Sequence, residues 1–168
     1  MAQTLTPEQE TFRRKMTNPF LFRLYLLFKI PLGFLSGMKI AELNQHRSVS
    51  TVRYKWLNRN PFRSLYFGVQ SMTAELCTGG MALMAIYKTQ PSVAGIITSV
   101  EGEFLKQAKG RIHFTCEEGD KIFSAVEKCK ASDEGQVVKV KSTGTMKDGT
   151  VVAVFYFTWS FKKRSRSS

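Results

Sequence analysis

Residues 64–87 read SLYFGVQSMTAELCTGGMALMAIY, and Glu75 is the one side chain among them that is charged at neutral pH. Abundant Ala, Met and Leu predict a helix over residues 68–87, about 30 Å long at the standard rise. A helix without a solvated face must be enclosed by other structure. Gly79 and Gly80 each disfavour the helix by roughly 1 kcal/mol relative to Ala, so a neighbour is expected to press close to the backbone there.

The enclosing structure is expected to be a sheet. Residues 38–56 read as two short strands joined by a turn at 44–47, the second rich in Val, Thr, Tyr and Trp. A loop follows at 58–64. Strand patterns then occupy 95–108, 111–116, 121–131, 136–147 and 150–161. Turn signals at Lys109-Gly110, Glu118-Gly119-Asp120, Asp133-Glu134-Gly135 and Asp148-Gly149 separate them. A meandering antiparallel sheet curled round one apolar helix satisfies this order.

The N-terminal segment is apolar without being a membrane span. Residues 6–29 predict one or two amphipathic helices, opened by Thr6 as cap and Pro7 at the first helical position. Arg23, Lys29 and Pro31 cut the apolar stretch 19–37 into runs well short of the ~20 residues a spanning helix needs, and they interrupt the unbroken core of a signal peptide. Phe20, Phe22, Leu24, Leu26, Leu27 and Phe28 interleave with Arg23 and Lys29. Two readings stay open: helices covering core or subunit surface, and an interfacial anchor in peripheral contact with a membrane.

At 168 residues the chain suits a single domain with a sizeable core, and two-domain cofactor enzymes are excluded. Its net charge is +12, biased to residues 1–90, where 12 basic side chains face 4 acidic ones. That field suits anionic partners. No specific nucleic-acid partner is expected, because no helix-turn-helix, zinc module or aromatic-basic motif is present. Cys77, Cys116 and Cys129 are odd in number and lack C-x-x-C spacing, so a reducing, cytoplasmic setting is expected and neither disulfides nor a metal site. His46 and His113 are expected to face solvent. The run Lys162-Lys163-Arg164-Ser165-Arg166 reads as a frayed basic tail.

Asn60-Pro61-Phe62-Arg63-Ser64-Leu65-Tyr66-Phe67-Gly68, followed seven residues later by Glu75, resembles the signature of hotdog-fold acyl-CoA thioesterases of the phenylacetate-pathway type. In that family an Asn leads a loop carrying His-Gly-Gly into the central helix, and an acid lies about two turns inside it. Tyr66 and Phe67 stand here where the better-known enzymes have His and Gly. Residues 97–108 resemble the family's strand after the central helix, with its Phe-Leu-basic-x-Ala ending, and Gly119-Asp120 resembles a Gly-Asp turn before the next strand. The resemblance implies an α+β hotdog fold over residues 38–161, an antiparallel sheet wrapped round one long central helix. Residues 1–37 would be a helical extension, as in an uncharacterised branch of the superfamily, and 162–168 the tail.

The same resemblance implies an acyl-CoA thioester as substrate, no cofactor, and a homodimer or dimer of dimers in which Asn60 and Glu75 of one site come from different subunits. Glu75 would be the general base or the nucleophile. Gly68, at the helix start where unpaired N–H groups collect, would hold the oxyanion, and Asn60 would position water or thioester. Tyr66, Phe67, Arg63, Thr98 and Lys106 are the expected substrate contacts. Each assignment has a plainer alternative. Glu75 could be a structural buried acid, Asn60 an ordinary turn residue, the aromatics packing, and the basic residues a solvated surface. The runner-up function is a non-catalytic acyl-CoA or fatty-acyl binder.

Overall fold

The computed structural model describes residues 4–164. Three short helices open the chain: α1 (Pro7–Thr17), α2 (Pro19–Lys29) and α3 (Pro31–Ser36). Each begins on a proline, whose missing N–H falls where no intrahelical acceptor exists. Thr6 caps α1 as expected, its hydroxyl accepting from the Gln9 N–H while the Gln9 side chain accepts from the Thr6 N–H. Met16 joins α1, and Phe22 and Leu26 join α2, to the main core.

Strands β1 (Lys39–Leu43) and β2 (Ser48–Arg53) form the expected hairpin, and a 3-10 turn (Trp56–Asn58) leads to the central helix α4 (Phe67–Ile86). Strands β3 (Val93–Phe104) and β4 (Arg111–Cys116), helix α5 (Gly119–Ala131), and strands β5 (Gln136–Thr145) and β6 (Val151–Lys163) complete the chain. All six strands belong to one sheet in the order β1-β2-β4-β5-β6-β3, every pairing antiparallel. The sheet curls round α4, so the α+β hotdog arrangement is what the chain adopts. Almost every α4 side chain after Met72 is buried, in keeping with its lack of a polar face.

Two expectations are corrected. Residues 121–131 are helix, not strand: Ile122, Phe123, Ala125, Val126 and Cys129 are buried at helical spacing, with Asp120 in the first turn and Lys128 and Lys130 in the last. Nor is the sheet a simple meander. β3 pairs with β6, Val93 opposite Lys163 and Phe104 opposite Ala153, and so becomes an edge strand, while β4 crosses to β2. The Asp148-Gly149 turn does join β5 to β6 as a hairpin, closed by the Met146 N–H donating to Thr150 O. β6 runs through Lys162 and Lys163, into the run expected to fray; Ser165 and Arg166 lie outside the described residues.

Among the described residues no helix is long and apolar enough to cross a membrane, and no three His, Cys, Asp or Glu side chains cluster as a metal site would require. The three cysteines are buried thiols. His46 is exposed, with Nδ1 2.7 Å from Asp120 Oδ1.

Candidate active site

In the first three turns of α4 the half-buried residues fall along one stripe: Gly68, Ser71, Met72 and Glu75. They recur every three to four residues, as one face of a helix requires. Glu75 lies two turns inside α4, where no free backbone N–H can balance its charge. Among the described residues its carboxyl has no hydrogen-bond or ion-pair partner. Burial pushes its pKa up to about 7, from 4.5, because an apolar setting disfavours the ionised form. Half-buried Tyr25 of α2 lies close enough that its own pKa, raised chiefly by burial, is raised further by the Glu75 charge.

Space beside this acid comes from a glycine. A β-carbon on residue 79 would sit 2.5 Å from Glu75 Oε1 and 3.6 Å from Trp159 Cη2. What presses on the backbone at 79 is therefore the helix's own acid. At residue 80 a β-carbon would meet Ile40 and Leu43 at an ordinary 3.6 Å, so the expected close sheet contact does not occur there.

An apolar groove of about 420 Å³ lies along the N-terminal half of the stripe, lined by Leu32 and Leu35 of α3, Leu57 of the 3-10 turn, and Tyr66, Gly68 and Met72. The Phe67 and Gly68 N–H groups at the start of α4 donate to no acceptor among the described residues, as first-turn amides do. The ring of Tyr66 lies where a side chain on residue 68 would be, 2.8 Å from that position, and packs against Phe67 at 4.8 Å between centroids.

Asn60 lines a second cleft of about 280 Å³, with Phe67, Gln70, Phe104 and Lys106. Its Oδ1 accepts from the Ser64 N–H at 3.0 Å and its own N–H donates to Ser64 O at 2.8 Å, closing the 60–64 turn. Arg63 is exposed in that turn with φ 58°, in the left-handed region. Thr98 sits at the bulge of edge strand β3, its hydroxyl donating to Thr158 O, and it lines neither cleft.

Within one chain, then, the fold brings Asn60, Phe67 and Lys106 together, brings Gly68 and Tyr66 together, and keeps Glu75 apart from both groups. Gly68 and Glu75 are separated by seven residues of helix, about 10 Å of rise. The Glu75 carboxyl also leans toward Gly79, away from Gly68. Sequence reasoning missed Tyr25, Leu32, Leu35 and Leu57, which reach the stripe from segments read only as extension or loop. It also missed Gln70, whose Nε2 donates to Leu65 O while its buried Oε1 lacks a partner among the described residues. Its isolated amide in an apolar helix was the available signal.

The profile of a family described as Domain of unknown function (DUF4442) matches residues 20–161, beginning inside α2. No curated protein matches the chain. Among solved structures it is similar to PA5026 of Pseudomonas aeruginosa, a protein of unknown function described as a probable thioesterase, with 20% identity, 89% of this chain and 99% of that chain covered, and a TM-score of 0.73. It is similar also to a protein of unknown function from Chlorobaculum tepidum, at 12% identity over 90% of this chain and 99% of that one, TM-score 0.71. A thioesterase of Haemophilus influenzae, HI1161, matches at 14% identity over 83% and 88% of the two chains, TM-score 0.61. At these identities the likeness is one of fold.

Proposed function

We propose that this chain, which belongs to the DUF4442 family and shares the hotdog fold with thioesterases, hydrolyses the thioester of an acyl-CoA. One observation carries the reading. An unpaired carboxyl whose pKa burial holds at about 7 stands on α4 one turn beyond Met72, and Met72 and Gly68 of the same helix line an apolar groove beside free helix N–H groups. A base poised near neutral pH is what proton abstraction from water requires.

In the general-base form, the Glu75 carboxylate takes a proton from water as its oxygen attacks the thioester carbon. The carbonyl oxygen becomes an oxyanion, held by the N–H groups of Phe67 and Gly68. Collapse breaks the carbon–sulfur bond and the protonated Glu75 returns its proton to the departing thiolate, leaving a carboxylic acid and a free thiol. In the nucleophilic form, Glu75 attacks the carbon itself and the carbon–sulfur bond breaks to expel the thiolate; water then opens the resulting anhydride, giving one proton to the thiolate and leaving the carboxylic acid and the free Glu75 carboxylate. Each N–H donor to an oxyanion of this kind typically contributes about 3 to 4 kcal/mol in the transition state.

The 10 Å of rise between Gly68 and Glu75 is too long for one carbonyl to touch both. A homodimer resolves this: Asn60 and Gly68 of one protomer complete a site with Glu75 of the partner subunit. β3 supports that assembly, because its outer edge is unpaired among the described residues and Ile96, Val100 and Phe104 along it are exposed. Long apolar edges of this kind are templates for strand pairing. Tyr66, Phe67, Arg63, Thr98 and Lys106 are the proposed contacts to the acyl-CoA, the basic ones toward its phosphates.

A second reading rests on Tyr66 and Phe67, whose rings crowd the helix start: an acyl-CoA binder without turnover. The test is free-thiol release over short, long and aromatic acyl-CoAs, native against Glu75→Gln. We expect the substitution to lower turnover about a hundredfold or more. Tight binding with no turnover in either form would establish the binder, and unchanged turnover in the variant would remove Glu75 from the chemistry.

A further inference from the structure

Helix α2 is apolar on both of its faces, and only one is covered. Phe22 and Leu26 are buried and Tyr25 is half-buried on the inner side. Phe20, Leu21, Leu24, Leu27 and Phe28 recur at i, i+1, i+4, i+7 and i+8, which places them on the opposite face. All five are exposed, Phe20 to 70% and Phe28 to 77%. The neighbouring elements continue the pattern: Leu32 and Leu35 of α3 and Trp56 of the 3-10 turn are exposed as well. A helix apolar all round is ordinarily enclosed, and a contiguous exposed patch of this size marks a contact surface.

The charges around the patch identify what it contacts. Segment 18–37 contains Arg23 and Lys29 and no acid. The Arg23 guanidinium lies 4.5 Å from the centre of the Phe34 ring, the Lys55 ammonium donates to Leu35 O, and Arg59 lines the groove beside Leu32. These four basic side chains are exposed, and none pairs with an acid among the described residues. A second copy laid on this face would oppose two such sets of cations. An anionic surface with an apolar interior meets both features at once.

We propose that the outer face of α2, with α3 and Trp56, docks this protein on an anionic lipid bilayer, the helix lying in the interfacial plane with Phe20 and Phe28 among the acyl chains. The groove lined by Leu32, Leu35 and Leu57 shares α3 with this face, so a long acyl chain would have a route from lipid to groove that avoids bulk water. Docking itself does not depend on hydrolysis, and its test needs no turnover.

The full chain is sedimented with phosphatidylcholine vesicles, with and without phosphatidylglycerol. Binding to the anionic vesicles is expected, weakened by salt. The paired change Phe20→Ser, Phe28→Ser should lower partitioning about tenfold or more while leaving the circular dichroism melt in place, since neither ring belongs to the core. Arg23→Gln with Lys29→Gln should weaken binding to anionic vesicles and leave any residual binding to neutral ones unchanged. Absence of binding to anionic vesicles, or binding that survives loss of both rings, overturns the proposal. So does a phenylalanine variant that converts a dimer to a monomer in sedimentation velocity while native protein ignores vesicles, which would make the face a contact between copies.

Discussion

The Glu75 carboxyl occupies the space that a side chain on residue 79 would fill: a β-carbon there would stand 2.5 Å from Oε1, with the Trp159 ring closing the far side at 3.6 Å. Trp159 is itself held, its Nε1–H donating to Thr78 Oγ1 at 3.2 Å. The acid's position and the glycine are therefore one feature of the fold.

A methyl at 79 should separate stability from chemistry. Gly79→Ala gains helix propensity, about 1 kcal/mol, and the atom it displaces is the movable end of a side chain. The melt is expected to stay within about 1 kcal/mol of native while thiol release falls about tenfold or more through misplacement of the base. Native turnover in this variant would show that the carboxyl's position is immaterial.

Gly80→Ala should simply stabilise. Its β-carbon meets Ile40 and Leu43 at ordinary contact distance, so the gain in helix propensity, about 0.5 to 1 kcal/mol, is unopposed. Urea unfolding should show a higher midpoint at unchanged slope.

The raised pKa of Glu75 has two consequences with opposite pH trends. The carboxyl must be ionised to act, so turnover should rise as pH passes through about 7. Stability should do the reverse. The unfolded chain releases this proton near 4.5 and the folded chain near 7, so between those values the folded state binds more protons and loses stability as pH rises. Glu75→Gln removes that loss and should stabilise the protein at pH 8 by about 1 to 3 kcal/mol, with little effect at pH 4. Equal melting shifts at both pH values would contradict the assigned cause.

Gly119→Ala should be among the most damaging small substitutions. Its β-carbon would overlap the Gln45 carbonyl oxygen and lie 2.9 Å from Met81 Sδ, at the point where the Gly119 N–H donates to His46 O. Backbone cannot yield as a side chain does, and a loss of about 3 kcal/mol is expected in urea unfolding. A native-like midpoint would mean that the turn holding residues 44–47 moves freely.

The features legible in the sequence were those set by short-range chemistry. Thr6 and Pro7 announced a helix start, Asp148-Gly149 a hairpin, and the lone charge between residues 64 and 87 an enclosed helix carrying one unusual acid. Residues 121–131 read as a strand because turn signals at both ends bound a helix as readily as a strand, and the spacing of Ile122, Phe123, Val126 and Cys129 was the better guide. Asn60 matched a functional spacing and also read as an ordinary turn residue, and its Oδ1 does close the local turn.

Local propensity acts through atoms a few residues apart, and residue order alone therefore decided that a helix opens at Thr6-Pro7, that a hairpin turns at Asp148-Gly149 and that residues 68–86 form an enclosed helix. Tertiary structure decided the rest: that β3 joins β6 and becomes an edge, that Glu75 leans over Gly79, and that α2 keeps one apolar face uncovered. These depend on which distant surfaces meet, and burial, which sets both the acid's pKa and the exposed stripe, exists only after they have met.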